Sequence, residues 1–501
     1  MSADFLPLHD TASARERDRL ASAALGDAYI LMERAGAAAW RCLLRRWPQA
    51  LRIGVVCGPG NNGGDGYVLA RLALEAGRRV RVVHAPDAAP RSALCRRAYD
   101  AYRAAGGAVE AGDALPEAFD LLVDAMFGIG LSRAPEGAAA RLLAALAAAG
   151  VPVLALDVPS GVDAERGAVP GVAVTADCTL QFILAHRGLY TGDALEHVGE
   201  RLLEPLDVDH RLLPPVAADA AFITTAALRA WLPARRRNTH KGESGRVLCL
   251  GGDHGGGGAL ALCAEASLRV GAGLVAAATR ERHVAALIAR CPEIMALSAD
   301  DDGQLSARLQ AADVIAIGPG LGQAAWGARL YALARASARP LVIDADALNL
   351  LAAAPGPLDD AVMTPHPGEA ARLLGITTSE VQGDRFAAAD ALASRYRCTV
   401  VLKGAGSIVA APGHTSRVIG AGNPGMAVGG MGDLLTGVIA GLRAQGLAAF
   451  DAACAGALLH ACAGDAAARA GQRGLLPSDL LPWLRHHANP AAASISDMDL
   501  P

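Results

Sequence analysis

The stretch GNNGGDG, residues 60–66, lies between an apolar run at residues 51–57 and a segment of helical periodicity at residues 67–76. An apolar run that enters a glycine-rich turn and continues as a helix is typical of a β-α-β unit. A single loop of this kind is by itself no more than a turn. The function of its two asparagines and its aspartate therefore has to be inferred from the rest of the chain.

The first half of the chain continues this alternation of short apolar strands and helices rich in Ala, Leu and Arg. Candidate strands lie at residues 53–57, 80–84, 121–124, 153–157 and 178–182. This spacing predicts a doubly wound α/β fold, with a parallel sheet and helices on both faces. In such sheets, ligands bind beyond the carboxyl ends of the strands.

Polar or glycine-rich loops follow three of these candidate strands. GNNGGDG follows the first, MFGIGLSR at residues 126–133 follows the third, and VPSGVD at residues 158–163 follows the fourth. Because the carboxyl ends of parallel strands meet at one edge of a sheet, the three loops are expected to converge. Three convergent polar loops predict a binding site rather than three unrelated turns.

The second half repeats the architecture with different loops. Candidate strands lead into GGDHGGGGA (251–259), GPGLG (318–322), DADALN (344–349), TPHPGE (364–369) and KGAGS (403–407), and GNPGMAVGGMGD (422–433) precedes a final helical segment. A Pro- and Ala-rich stretch separates the halves. We predict one domain at residues 1–215, a linker at 216–223, a second domain at 224–485 and a disordered tail at 486–501.

Composition and charge exclude several classes of protein. The 501 residues are enough for two or three domains, and no apolar run approaches the roughly 20 residues that span a bilayer. The net charge is -4 and no long basic block occurs, so we expect no nucleic-acid partner. The ten cysteines form no Cys-x-x-Cys pair, which argues against structural zinc and against a disulfide framework. With its polar N-terminus, the chain is expected to be cytoplasmic, with no membrane partner.

The glycines of GGMGD are suited to an anion, because they let the backbone approach closely and the N–H groups of a helix start face the ligand. Asp433 stands where a proton is moved or a cation is held, and Lys403 offers a point charge to a phosphate. His366 lies between two prolines in a rigid loop, where it is as often structural as functional. Glu369 could serve only as a helix-start residue. Gly-x-Gly-Asp before a late helix resembles the ribokinase-like sugar and vitamin kinases.

HKGESGRVLCLGG, GAGLV, GPGLG, DADALN, TPHPGE, KGAGS and GNPGMAVGGMGD occur in this order over about residues 224–485. The series resembles the ADP-dependent NAD(P)H-hydrate dehydratases, which are ribokinase-like. The resemblance implies that Asp433 activates the hydroxyl of the hydrate, which takes phosphate from ADP, or from ATP in some members, with Mg²⁺ accompanying the nucleotide. The implied nucleotide contacts are Lys403, Gly404, Ala405, Gly406, Ser407 and Gly432. The implied hydrate contacts are Ala259, Gly320, Gly322, His366 and Asp433.

In the first half, LMERAGAAA, GPGNNGGDG, LVDAMFGIGL and LDVPSGVD resemble the Rossmann-like NAD(P)H-hydrate epimerase domain, which is often fused to that dehydratase. The resemblance implies a K⁺ ion bound by Asn62, Asp124 and Ser160, and proton transfer by Asp157. The implied substrate contacts are Asn61, Asn62, Gly63, Gly64, Asp65, Gly128, Ile129, Gly130, Leu131, Ser132, Arg133, Ala134 and Asp157. The two halves together imply repair of NADHX and NADPHX by a homo-oligomer, with release of AMP and phosphate.

Three positions depart from the dehydratase pattern. Asp253 and Gly256 stand where the family has a serine and an aromatic residue, and Val428 replaces a threonine near the nucleotide loop. An alternative to repair is a ribokinase-like vitamin or hydroxymethylpyrimidine kinase with an accessory domain, against which TPHPGE and KGAGS argue. A further alternative is that one half is a degenerate binding module, although Asn62, Asp65, Asp124 and Asp157 are all present.

Overall fold

The computed structural model describes residues 4–116, 118–131 and 133–490. It divides into two compact units, one of residues 7–220 and one of the residues up to Leu6 together with those from Ala221 onward. Two predicted boundaries differ from this structure. The predicted linker contains a strand, Ala220–Ile223, of which Ala220, Ala221 and Ile223 are buried. The predicted tail begins inside a helix, Pro477–His487, which buries Leu480 and Leu484; residues 491–501 lie outside the described part.

The first unit contains a parallel sheet with helices on its faces. The strands of this sheet are β2 (Arg52–Cys57), β3 (Arg79–His84), β4 (Ala108–Ala111), β5 (Leu121–Ala125), β6 (Val153–Leu156), β7 (Cys178–Phe182) and β9 (Glu200–Glu204). Outside it, β1 (Phe5–His9), whose first two residues belong to the other unit, pairs in parallel with β8 (Ala185–His186). Its helices are α1 (Thr11–Leu25), α2 (Ala28–Arg46), α3 (Asn61–Glu75), α4 (Ala93–Ala104) and α5 (Gly137–Ala148).

Seven strands form the main sheet of this unit in the order β4-β3-β2-β5-β6-β7-β9, all in parallel. The chain adds β3 and β4 on one side of β2 and later adds β5 on its other side. The order of strands therefore reverses between β2 and β5, and a ligand crevice is expected beyond their carboxyl ends. The doubly wound fold predicted for this half is confirmed, and the five candidate strands differ from the observed ones by at most one residue at each end.

The second unit contains β10 (Ala220–Ile223), β11 (Arg246–Leu250), β12 (Leu274–Thr279), β13 (Met295–Ser298), β14 (Val314–Ile317), β15 (Leu341–Ile343), β16 (Ala361–Met363), β17 (Thr399–Leu402), β18 (Ile408–Ala410) and β19 (Ser416–Ile419). Its helices are α6 (Leu228–Trp231), α7 (Gly257–Arg269), α8 (Glu281–Arg290), α9 (Asp302–Ala311), α10 (Ala325–Ala336), α11 (Ala345–Ala353), α12 (Pro367–Leu374), α13 (Thr378–Gly383), α14 (Arg385–Tyr396), α15 (Met431–Ala444), α16 (Ala449–Ala467) and α17 (Pro477–His487).

The strands of this unit run β13-β12-β11-β14-β15-β16-β17 in parallel, and β18 and β19 continue the sheet in antiparallel fashion. The order of strands reverses between β11 and β14. A ligand site is therefore expected at this switch point of the second unit as well. Among the helices of the described residues, none has the length and apolarity needed to cross a bilayer.

Glycines bring two helices of the second unit into close contact beside that switch point. A Cβ atom on Gly437 of α15 would lie 2.0 Å from the carbonyl oxygen of Cys263 on α7, and one on Gly441 would lie 2.8 Å from the carbonyl oxygen of Ser267. The two contacts advance together along both helices, so α7 and α15 run in parallel. Their N-termini therefore lie at the same edge of the sheet, where GGDHGGGGA and GGMGD end.

Candidate active sites

A cleft of about 450 Å³ opens at the β2/β5 switch point of the first unit. Its lining comes from α1, from the start of α3 and from the loops that follow β5 and β6. The polar side chains in its wall are Arg15, Asp18, Ser22, Asn61, Asn62, Asp65, Asp157 and His186. The structure thus brings together the three loops whose convergence was predicted, together with side chains that were not predicted, among them Asp18 and His186.

GNNGGDG is mostly the first turn of a helix rather than a loop. Helix α3 begins at Asn61 with Gly60 as its N-cap. A Cβ atom on Gly63 would lie 1.9 Å from the carbonyl oxygen of Gly58, and one on Gly64 would lie 2.4 Å from Met32 Cε. These two glycines were predicted to contact the substrate, but they are buried and absent from the cleft wall. Their absent side chains let α3 start close to β2.

Asp124 and Ser160 form a buried hydrogen-bonded pair beside the cleft. The Ser160 hydroxyl donates to Asp124 Oδ1 at 2.6 Å, and the backbone N–H of Ser160 donates to Asp124 Oδ2 at 2.7 Å. The N–H of Phe127 donates to Ser160 Oγ at 2.8 Å, which fixes the loop after β5. Burial raises the pKa of Asp124 to about 6, although these hydrogen bonds oppose the rise.

The third predicted K⁺ ligand, Asn62, carries two polar atoms that lack partners. Its Oδ1 and Nδ2 are both buried, and the described residues offer neither a hydrogen bond. Asn62 lies beside Gly128, where a Cβ atom would be 3.5 Å from Asn62 Cβ and 2.7 Å from Asp157 Oδ2. An unpaired buried amide costs about 1–3 kcal/mol, so this position favours a bound ligand.

Asp157 is held from two sides at the carboxyl end of β6. Its Oδ1 lies 2.7 Å from His186 Nε2, and its Oδ2 accepts the backbone N–H of Ile129 at 3.3 Å. Its φ of 64° is in the left-handed region, where residues other than glycine are strained and often functional.

Burial and the charges of Asp157 and Asp18 raise the pKa of Asp65 well above its usual range.

Only some of the substrate-contact residues predicted in the loop after β5 line the cleft. Gly128, Ile129 and Gly130 line the cleft. Leu131, Arg133 and Ala134 were also predicted to contact the substrate, and they are absent from the wall. Ser132 lies outside the described residues.

A buried ion pair lies at the carboxyl edge of the second unit, beside the start of α15. Lys403 Nζ is 2.8 Å from Asp344 Oδ1, and the hydroxyl of Thr436 donates to Asp344 Oδ2 at 2.9 Å. The carboxylate of Glu369 lies 3.8 Å from Lys403 Nζ. Burial opposes the charged ammonium, but the two carboxylates outweigh it, and the pKa of Lys403 is raised.

Gly432 and Asp433 lie in the first turn of α15, next to the ion pair of Lys403 and Asp344. A Cβ atom on Gly432 would lie 3.1 Å from both Lys403 Nζ and Asp344 Oδ2, so only glycine leaves the ion pair undisturbed. Burial raises the pKa of Asp433 to about 6, and the carboxylate of Asp344 adds to the rise while Lys403 opposes it. A carboxylate whose pKa is raised toward neutrality is suited to general base catalysis.

His366 and Glu369 form a capping box at the start of α12. The Nδ1 atom of His366 accepts the N–H of Gly368 at 3.0 Å, and Glu369 Oε2 accepts the N–H of His366 at 2.8 Å. Glu369 is therefore a helix-start residue, as was considered from sequence, and it also faces Lys403. The His366 side chain is 56% exposed, and its Nε2 lies 3.5 Å from Glu369 Oε1.

The predicted hydrate loops of the second unit meet at the β11/β14 switch point. Asp253 N donates to the carbonyl oxygen of Gly320 at 2.6 Å, and a Cβ atom on Gly256 would lie 2.5 Å from that oxygen. Gly322 N donates to Asp346 Oδ2 at 2.9 Å. Ala259 lies on the first turn of α7 from the same loop. In this chain Gly256 thus serves the contact between the two loops.

KGAGS is fixed by an arginine on a different element. Arg385 is buried, and it donates to the carbonyl oxygens of Leu402 at 3.3 Å and Lys403 at 3.2 Å. Gly404 has a φ of 134°, and the hydroxyl of Ser407 donates back to the carbonyl oxygen of Gly404 at 3.0 Å. Val428, which stands where the dehydratase pattern has a threonine, is 40% exposed.

Comparisons with known proteins match each half of the chain to a protein family. A sequence model described as NAD(P)H-hydrate dehydratase matches residues 247–485, and one described as YjeF-related protein N-terminus matches residues 28–188. The chain is 45% identical over 490 residues to the bifunctional NAD(P)H-hydrate repair enzyme of Coxiella burnetii, with coverage of 96% of this chain and 99% of that protein. For the Escherichia coli enzyme the identity is 43% over 479 residues, covering 95% and 93%.

The chain belongs to the bifunctional NAD(P)H-hydrate repair enzymes. The predicted family and the predicted activities are thereby confirmed: the first unit carries the epimerase domain and the second carries the dehydratase domain. A ribokinase-like superfamily protein from Enterococcus faecalis is similar to the second half, with a TM-score of 0.51 and 30% identity over 54% of this chain and 95% of that one. The vitamin kinase alternative has no support from these relatives.

Five side chains next to the predicted sites were missed from sequence: His186, Asp18, Asp344, Thr436 and Arg385. Asp344 directly follows β15 in DADALN, and this position at a carboxyl edge was a usable signal. His186 stands on a two-residue strand and Asp18 on an N-terminal helix. No motif marked either of them.

Proposed function

We propose that the cleft of the first unit epimerises the hydrates and that the edge of α15 in the second unit dehydrates the S epimer. The position of Asp157 supports the first assignment, since its Oδ2 atom lies beside the predicted substrate loop at Gly128 and Ile129. Inversion at a hydroxyl-bearing carbon needs one of its bonds to break and to re-form on the other face, with a proton taken up and returned in the same sequence. A positioned carboxylate performs such transfers.

A K⁺ ion fits the donor set beside this cleft. The Asp124 carboxylate, the Ser160 hydroxyl and the unpaired Oδ1 of Asn62 are hard oxygen ligands. When bound, the ion would supply positive charge near the phosphates of the substrate. Exchange of K⁺ for Li⁺ is then expected to slow epimerisation at least tenfold, while dehydration of the S epimer continues unchanged.

In the second unit, Asp433 would take the proton of the hydrate's hydroxyl as it attacks the nucleotide phosphate. Lys403 and the backbone N–H groups at the start of α15 would stabilise charge on the phosphoryl group during transfer. Residues 403–407 and Gly432 would hold ADP or ATP. Mg²⁺ is expected to accompany the nucleotide, because it usually takes ligands from substrate phosphates and from one or two carboxylates. The homo-oligomer and the cytoplasmic location stay predictions.

The assignment of Asp433 is tested with the isosteric change Asp433→Asn. We expect dehydration of the S epimer to fall by about 10³-fold, in the range typical for loss of a general base. Epimerisation of the R epimer without ADP, followed by chromatography, serves as the matched control and is expected to be unchanged. Dehydration within tenfold of the wild-type rate would refute the role of Asp433.

A further inference from the structure

We infer that His186 is a positioning residue of the epimerase site, which holds Asp157 through Oδ1 so that Oδ2 faces the substrate. The inference rests on the proposed role of Asp157. Nothing in the sequence motifs points to His186. It follows from the 2.7 Å distance between His186 Nε2 and Asp157 Oδ1.

The two oxygens of Asp157 face different surroundings. Oδ1 points to the imidazole, whereas Oδ2 lies at the backbone N–H of Ile129 and 2.7 Å from where a Cβ atom of Gly128 would be. Gly128 and Ile129 belong to the wall of the cleft. The oxygen that His186 leaves free is therefore the one presented to a bound hydrate.

The imidazole ring of His186 is itself held in place. The side chain is 3% exposed, and its backbone N–H donates to Gln181 Oε1 at 2.9 Å. The amide nitrogen of Gln181 donates in turn to the hydroxyl of Tyr190 at 3.2 Å. The left-handed backbone of Asp157 is a strained conformation that needs such support from its surroundings.

The burial of His186 also fixes which nitrogen carries the proton. Its Nδ1 atom is buried and has no hydrogen-bond partner among the described residues. A proton on Nδ1 would place a donor where it has no acceptor, which costs about 1–3 kcal/mol. The neutral ring therefore carries its proton on Nε2 and donates it to Asp157.

Three titratable groups surround His186, of which Asp157 and Asp18 bear on the pH profile. Asp157 faces it from the end of β6, Asp18 faces it from α1, and His9 is its register partner on β1. Burial raises the pKa of Asp18 to about 7, and the Asp157 carboxylate adds to the rise. Burial lowers the pKa of His9. The His9 ring contacts the carbonyl oxygen of Ala217 rather than Asp157.

The test compares His186→Leu with His186→Gln in the full chain. Leucine keeps much of the volume but removes the donor, whereas glutamine places an amide nitrogen near the position of Nε2. We expect His186→Leu to lower kcat for epimerisation of the R epimer by about 10²-fold, the scale of a misplaced catalytic group. KM should change less than about threefold. His186→Gln should retain kcat within about fivefold.

The pH profile gives a second readout. A hydrogen bond to a carboxylate favours its charged form, and His186→Leu removes this bond from Asp157. The acid limb of the epimerisation profile should therefore move upward in His186→Leu and stay in place in His186→Gln. His9→Leu is the control, because it removes an equally buried ring that does not touch Asp157. It should lower Tm without changing the kcat or the profile.

Equal kcat losses in His186→Leu, His186→Gln and His9→Leu would refute the positioning role, since they would reflect only the loss of a buried ring. Unchanged kcat in His186→Leu would refute it as well. Asp157→Asn in the same assay separates this failure from that of the proposed function. If Asp157→Asn still epimerises at the wild-type rate, the role of Asp157 itself is wrong.

Discussion

The two switch points of the chain occupy equivalent places in their sheets but carry different charges. At the β2/β5 point, three aspartates (Asp18, Asp65 and Asp157) line one cleft with His186 and a single arginine, Arg15, and no lysine or arginine among the described residues forms an ion pair with Asp157. At the edge of the second sheet, Lys403 lies within 4 Å of both Asp344 and Glu369. The same position in a fold thus serves opposite electrostatic needs.

The contrast follows from the chemistry of each half. A transferring phosphoryl group carries negative charge, so its site needs a cation and a helix N-terminus. Inversion of a hydrate transfers no phosphoryl group, and carboxylates can serve the proton transfers that accompany it. In the first unit, Arg15 lines the cleft, and the proposed K⁺ would add positive charge near the substrate's phosphates.

The largest effect is expected where the ion pair is broken. In Lys403→Met, Asp344 loses its cation while it stays 2% exposed, and breaking a buried pair costs about 3 kcal/mol. We expect the thermal transition of the second unit to fall by several degrees and dehydration to be lost. The double change Lys403→Met with Asp344→Leu removes both charges and should recover stability but not activity. If the single variant is as stable as the wild type, the pair has no structural role.

The pH dependence of dehydration should follow the ionisation of Asp433. Its carboxylate must be deprotonated to act as a base, and its pKa is raised from 3.8 to about 6. The rate should therefore rise with pH below about 6, roughly tenfold per unit, and become level above that value. Initial rates with the S epimer and ADP between pH 5 and 8 measure this profile. A level profile from pH 5 upward would contradict the assignment.

Two glycines of GNNGGDG should differ sharply when each is changed to alanine. A Cβ atom on Gly63 would lie 1.9 Å from a backbone oxygen, whereas one on Gly60 would meet nothing within 4 Å. We expect Gly63→Ala to cost about 1–3 kcal/mol and to slow epimerisation. Gly60→Ala should cost less than about 1 kcal/mol, the scale of a changed N-cap. Denaturant midpoints of both variants test this, and equal losses would argue against close packing at Gly63.

The smallest effect is expected at Val428, where the family pattern has threonine. Because this side chain is 40% exposed, Val428→Thr should change stability by less than about 0.5 kcal/mol. A regained hydroxyl near the nucleotide loop should lower the KM for ADP by no more than a few-fold. A tenfold change would show that this departure does affect the dehydratase site.

The architecture was predictable because its signals are local. Apolar runs bounded by glycine-rich turns predicted the strands, and the rule that parallel sheets bind ligands at their carboxyl edges placed both sites. Contacts between distant segments were not predictable. Lys403 and Asp344 are 59 residues apart, and His186 and Asp157 are 29 apart. Their pairing depends on packing that no periodicity encodes, as does the burial of Gly63 and Gly64 within a predicted binding loop.

The central claim is that one chain holds two separate sites, of which the first supplies the epimer used by the second. It is tested most directly with Asp157→Asn, by supplying mixed R and S NADPH hydrate with ADP, Mg²⁺ and K⁺ and following the dihydronicotinamide absorbance. The wild type should recover all of the NADPH. The variant should start at the wild-type rate and stop at the S fraction. Full recovery at the wild-type rate, or an initial rate that falls with the substitution, would contradict the account.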